Sequence, residues 1–253
     1  VRSRGLGDVY KRQDLKGYHV VCSDFAPDKP SHNAFEVAIV SKFPIAQAIE
    51  YDPTPEGSEE GDVEEAALEP PRKLGIGKVF TSGTRGFLWA HIPEKSLTIV
   101  VVHLKSSVGK SGLADKGNAE QREYVAAAVA TSVNEDHKLF PGYAYLVAGD
   151  FNVGHSDPKK NGRDLKVDCY TNCGTTDLYD DTHALLSEGL VGNLRMRNLL
   201  LHVKDSTYPG FPGSPIDNIY VAGQHASRFA KAEKALHSHG SDHLAVWTVY
   251  DAP

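Results

Sequence analysis

The chain has 253 residues, 40% of them hydrophobic and 24% charged, with a formal net charge of −6. That balance suits one large soluble domain or two small ones with a sizeable core, and no apolar run approaches the about 20 residues of a membrane span. Three cysteines are too few for a disulfide framework, and no dense basic run advertises a nucleic-acid surface.

Taken in chain order, residues 1–13 stand apart. The stretch SRGLGDVYKRQ (3–13) translates one frame of DNA that resembles a transposon-based sequencing adapter, so 1–13 are expected to be a non-native leader and 14–253 the domain proper. Dropping the leader removes four bases and one acid, which takes the charge from −6 to −9. EVAIVSKFPI (36–45) reads as the first strand. Nine acids and no base then fall between Glu50 and Glu69, and their Pro, Gly and Glu content predicts a solvated, mobile loop over 50–72 with no ion site. GFLWAHI (86–92) and LTIVVVHL (97–104) are strands joined by PEKS, which is hairpin spacing, so the sheet is at least partly antiparallel. NAEQREYVAAAVATSV (118–133) predicts the clearest helix, with Asn118 as N-cap and Gln121 three residues on. AYLVAGDF (144–151), IDNIYVAG (216–223) and HLAVWTVYD (243–251) complete the strands, and a second helix starts near Thr182. The segments 50–75 and 154–176 read as surface insertions on one α/β domain. Cys169 and Cys173 in CYTNC form either a small disulfide loop or two thiols.

Polar side chains collect at the strand ends. In GDFN, Asp150 and Asn152 share one face of a strand tip while Phe151 takes the other. Gly149 lets the backbone bend or a neighbour approach closely. The same residues also fit an Asx turn. His103 closes another strand, Asp217 opens one, and Asp242 and His243 stand at the mouth of the last. One such residue is ordinary. Four strand ends bearing Asp, Asn or His point to a site.

SKFPI, VVHLKS, GDFN, IDNIYV and a terminal SDH, in that order from about Gly17 to the C-terminus, resemble the endonuclease/exonuclease/phosphatase superfamily, whose members include the deoxyribonuclease I-like nucleases. The resemblance implies a four-layer α/β sandwich of two packed, mostly antiparallel sheets flanked by helices. It also implies a metal-dependent phosphoester hydrolase, foremost a phosphodiesterase or nuclease. On that pattern Asp150 orients or activates the attacking water and Asn152 holds the scissile phosphate. His243 is the phosphate-contacting or base histidine with Asp217 as its carboxylate partner, and His103 is the second histidine of the nuclease branch, paired with Glu36. Arg85 resembles a phosphate-contacting arginine, Asp242 a metal ligand, and Tyr208 lies on a bent loop beside Asp217 where a base or lipid would stack.

The chemistry of phosphodiester hydrolysis agrees with this set. Water must reach an anionic phosphorus, and charge on the oxygens must be met by donors and cations. Mg²⁺ prefers oxygen ligands and keeps waters, so one or two carboxylates suffice, with Mn²⁺ as the other expected ion. A metal-binding Glu and an Asn expected ahead of LKGYHVVCSDF have no counterpart between Asp14 and Phe35, so the sequence as given reads as truncated and inactive. The expected partner is a phosphoester substrate, possibly nucleic acid, and the expected state a soluble monomer of undecided compartment. The alternatives are a phosphatase or sphingomyelinase-like enzyme on a small or lipid phosphoester, and a non-catalytic interaction module that keeps the fold.

Overall fold

The fold grows outward from the hairpin that the sequence marks most strongly. In the computed structural model, which describes residues 17–23, 37–52, 68–73, 85–106, 116–154, 159–160, 163–165, 179–189, 193–209, 214–237 and 240–253, this hairpin joins strand β5 (Phe87–Ile92) to β6 (Leu97–His103). Every residue of β5 is buried, which requires cover on both faces. Between the strands, Pro93–Lys95 form a single 3-10 turn, and Ser96 closes it at φ 45 with its N–H on the Pro93 carbonyl.

Around this hairpin a seven-stranded sheet forms in the order β11–β12–β7–β6–β5–β3–β4. The other members are β3 (Gln47–Asp52), β4 (Leu68–Lys73), β7 (Ala144–Asp150), β11 (Arg197–Asn198) and β12 (Asp217–Gly223). All neighbours are antiparallel except β3–β4 and β6–β7. A parallel pair needs a long crossover. The β6–β7 crossover is carried by helix α1 (Lys116–Leu139), whose Val125, Ala126, Val129, Ala130 and Val133 recur at helical spacing and face the sheet.

Strand alternation sends residues into different cores. Phe87, Trp89, Tyr145, Val147, Tyr220 and Ala222 pack under α1 and the short helix α2 (Thr182–Ser187), to which Leu186 belongs. Leu88 and Ala90 point the other way, onto Val21 and Ile39 of a ribbon formed by β1 (His19–Cys22) and β2 (Ala38–Ser41). Ile219 and Val221 pack on that same far side with Phe229, Ala232 and Val246, beside a second ribbon of β13 (Glu233–Lys234) and β14 (Val246–Trp247). The layers are therefore helices, sheet and paired ribbons, an α/β sandwich as expected.

Several details differ from the sequence reading: the strand expected over 243–251 is regular only at Val246–Trp247, and His19–Cys22 form a strand that was not expected. The helix begins at Lys116 and runs to Leu139, so Asn118 lies inside its first turn rather than capping it. The acidic segment is not loop throughout: Glu50–Asp52 belong to β3, and Leu68–Lys73 pair with it as the edge strand, while 53–67 lie outside the described residues. Within the second expected insertion, β8 (Lys159–Lys160) and β9 (Arg163–Leu165) form a small sheet with β10 (Tyr179–Asp180). Cys169 and Cys173 are outside the described residues. Among the described residues, no helix is long and apolar enough to cross a membrane.

Candidate phosphoester site

Three central strands end in register. His103 of β6 pairs with Asp150 of β7, and Asp150 pairs with Asp217 of β12. Residues directly opposite across strands project to the same face about 4.5–5.5 Å apart, so these three form one polar row. Their parity matches Ile99, Ala148 and Ile219, which face the ribbons. The row thus lies at the seam between sheet and ribbons. His243 reaches it from the ribbon side, on the loop before β14, and its Nδ1 lies 2.8 Å from the Asp217 carboxylate. His103 Nε2 lies 3.4 Å from Asp150 Oδ2.

Gly149 permits this arrangement. Its φ is +142°, and a Cβ there would meet the Val102 carbonyl oxygen at 1.9 Å. Both a bend and a close strand approach depend on it. Beyond it the strand ends in an Asx turn: Asp150 Oδ1 accepts the Asn152 N–H at 2.7 Å. Asn152 stands at φ 54 in the left-handed region, and its amide donates to Asp150 Oδ2 at 2.7 Å and to the Leu104 carbonyl at 2.9 Å. Asp150 and Asn152 do meet on one side, while Phe151 is buried in the opposite core. Alternation explains Phe151; the turn, rather than alternation, brings Asn152 back. The same turn holds both of the residues that the sequence singles out.

The carboxylate row sets the electrostatics. Burial raises the Asp217 carboxyl above its ordinary value, Asp150's charge adds to this, and hydrogen bonds from Thr207 and His243 oppose it. Burial alone would lower His243, but the bond to Asp217 and the charges of Asp217, Asp150 and Asp242 outweigh it and leave the imidazole raised above 6.5. His243 therefore takes up a proton more readily than a free imidazole, with Nδ1–H donated to Asp217. Burial pushes Arg85 down to about 10 against the pull of Asp150.

The remaining expected residues fall as follows. Arg85 donates to the Leu104 carbonyl at 2.9 Å, bracing the end of β6. The Tyr208 ring lies 5.1 Å from that of His243. Asp242 is exposed and adjoins His243, but Asp150, Asp217 and His243 are the residues whose ligand atoms gather within 4.8 Å of one another among the described residues. Glu36 lies outside the described residues. The two carboxylates at that spacing fit a hard divalent cation that takes oxygen ligands, such as Mg²⁺ or Mn²⁺.

Several supporting residues carry no motif in the sequence. Thr207 is fully buried, and its hydroxyl accepts the N–H groups of Ile216 and Asp217 while its carbonyl accepts that of Leu244, so one threonine ties Asp217 to the His243 loop. Arg122 of α1, 2% exposed, donates to the Lys105 carbonyl just past His103 and pairs with Asp180. His183 and Tyr220 lie beneath the Asn152 turn.

No family model and no curated protein matches the chain. Solved structures do. A 3′ phosphatase, NExo, from Neisseria superposes with a TM-score of 0.57 at 16% identity, over 99% of this chain and 84% of that one. An AP endonuclease from Archaeoglobus fulgidus gives 0.53 at 15% identity, covering 100% and 86%. An endonuclease/exonuclease/phosphatase family protein from Leptotrichia buccalis gives 0.51 at 12% identity, covering 99% and 79%. The chain thus has the endonuclease/exonuclease/phosphatase, deoxyribonuclease I-like fold.

Proposed function

We propose that this chain is a divalent-metal-dependent phosphoester hydrolase, foremost a phosphodiesterase or nuclease, in which an activated water attacks phosphorus in line. The observation that carries the reading is the row of His103, Asp150 and Asp217 met by His243 from the facing layer. The similar structures, a 3′ phosphatase bound to a product DNA hairpin and an AP endonuclease, support phosphoesters as the substrate class.

Asp150 is the group that orients and deprotonates the water, with His103 beside it to hold the carboxylate's charge. Asn152 is fixed by Asp150 and the Leu104 carbonyl, which take both of its amide N–H groups, so it would meet the phosphate by giving up one of these bonds. His243 as imidazolium keeps Nδ1–H on Asp217 and turns Nε2–H toward a phosphate oxygen, stabilising charge as it develops. Tyr208, beside His243, is placed to contact the group attached to the phosphate. Asp150 and Asp217, with Asp242 one residue from His243, would hold Mg²⁺ or Mn²⁺, which supplies Lewis acidity at the phosphoryl oxygens.

The test is steady-state hydrolysis of bis(p-nitrophenyl) phosphate with Mg²⁺ or Mn²⁺ by the parent, Asp150→Asn and His243→Ala. Each substitution is expected to lower kcat by at least ~100-fold, the scale of losing one positioned proton-transfer or charge-stabilising group. Turnover near the parental rate in either variant would refute the assignment.

A further inference from the structure

The Asn152 turn is held from below as well as by Asp150. His183, on α2, is 5% exposed, and its Nε2 lies 2.9 Å from the Val153 carbonyl. A carbonyl can only accept, so that nitrogen carries the proton. In the neutral ring Nδ1 is then an acceptor, and the Tyr220 hydroxyl sits against it. Tyr220 is 1% exposed and lies three residues along β12 from Asp217. The Phe151 ring stacks on His183 at 5.7 Å. His183 therefore fills the space between α2 and the turn, on the helix side of the sheet.

That location keeps it out of the chemistry. Phe151 and Tyr220 belong to the core beneath the helices, whereas His103, Asp150 and Asp217 project toward the ribbons. What His183 grips is the residue after Asn152. Asn enters the left-handed region more readily than most non-glycine residues, but φ 54 still carries a cost that its surroundings must meet. Asp150 Oδ1 holds the Asn152 N–H in front, and His183 holds the next carbonyl behind. Without the second hold, Asn152 can relax toward negative φ and swing its amide away from Asp150 and Leu104.

We propose that His183 is a positioning residue of this site: it keeps Asn152 in the left-handed conformation through the Val153 carbonyl, with the Tyr220 hydroxyl selecting the Nε2-protonated ring. Its catalytic consequence rests on the hydrolase reading above, and its structural consequence does not. Three variants test it: His183→Leu, His183→Gln, whose amide N–H can still meet the carbonyl, and Tyr220→Phe. For His183→Leu we expect kcat to fall about tenfold, more than KM changes, as a slightly misplaced group would give. Amide hydrogen exchange at Asn152 should speed up at least ~10-fold while β5 and β6 stay protected. His183→Gln should recover most of both, and Tyr220→Phe should fall between. If the leucine variant does not fold, the glutamine and phenylalanine variants decide the matter by the same two readouts. Nitrogen NMR of the parental imidazole should show the proton on Nε2. Parental exchange at Asn152 in His183→Leu, or a proton on Nδ1 in the parent, overturns the proposal. A parent without any diester turnover overturns the hydrolase reading instead, and the exchange and tautomer measurements still decide the role of His183.

Discussion

Replacing Gly149 with alanine should do more damage than any other single methyl group added to this sheet. The new Cβ would lie 1.9 Å from the Val102 carbonyl oxygen and 2.9 Å from its carbon, and both are backbone atoms that no rotamer change can move. Ordinary contact begins near 3.4 Å, so β6 and β7 must part by roughly 1.5 Å at this pair. The φ of +142° adds strain for any residue with a side chain. Overpacking costs about 1–3 kcal/mol and the backbone strain another 1–3, so about 2–6 kcal/mol in all. Against a total stability of about 5–15 kcal/mol this is a large share. At roughly 2–4 °C per kcal/mol for a chain of this size, the melting temperature should drop on the order of 10 °C. The His103–Asp150 pair is the next rung, so molecules that do fold should also lose on the order of 100-fold in kcat. Circular dichroism melts and diester hydrolysis by parent and Gly149→Ala read both. A melting temperature within about 2 °C of the parent would show that the strands do not approach as described.

His243, raised above its ordinary value, adds stability that is fully present below about pH 6.5 and lost as pH climbs through its folded value. The stability gap between parent and His243→Ala, measured by urea unfolding, should therefore be larger near pH 6 than near pH 9; a gap that is constant or grows with pH contradicts the pairing with Asp217. Burial would raise the Asp180 carboxyl, but the Arg122 guanidinium and the bonds from Thr182 hold it below the usual carboxylate range. Asp180→Asn leaves Arg122 as an unpaired buried charge and should cost about 3–5 kcal/mol in chemical denaturation; a loss under ~1 kcal/mol would mean that water reaches the guanidinium. Chelation with EDTA should abolish diester turnover, and added Mg²⁺ or Mn²⁺ should restore it; metal-independent turnover would remove the ion from the proposed function.

Much of the architecture was readable because it follows from local patterns. The run GFLWAHIPEKSLTIVVVHL states its own hairpin, and the alternation of Phe87 and Trp89 with Leu88 and Ala90 fits a strand that feeds two cores. Asp150 and Asn152 were readable as an Asx turn, which the structure shows, and that turn carries the residues of the proposed site. The pairing of Asp217 with His243 was available only by resemblance, because a separation of 26 residues carries no spacing signal. Arg85 shows something the sequence did not signal: besides the phosphate contact that the resemblance implies, its Nη1 donates to the Leu104 carbonyl at the end of β6. Helix ends were misjudged where Asn118 looked like a cap, since the apolar face that positions the helix does not define where its first turn begins. Edge pairing was invisible, because Leu68–Lys73 hold two prolines, tolerable only on an edge strand, and join β3 through tertiary contact. The buried polar residues Thr207, Arg122 and His183 belong to no local pattern at all. Their partners come from other strands and helices, and single residues of those types are common everywhere.

The site draws its halves from regions of unequal tenacity. His103, Asp150 and Asp217 sit on neighbouring central strands whose ladders run the length of the sheet, the parts of a fold that open last. His243 hangs on a loop leading into a strand of two residues, in a ribbon of two strands, where the first openings are expected. Warming should therefore detach His243 before the sheet yields. Heat would then silence the protein reversibly, at temperatures where its bulk spectrum still reports an intact fold, and cooling would restore activity without refolding.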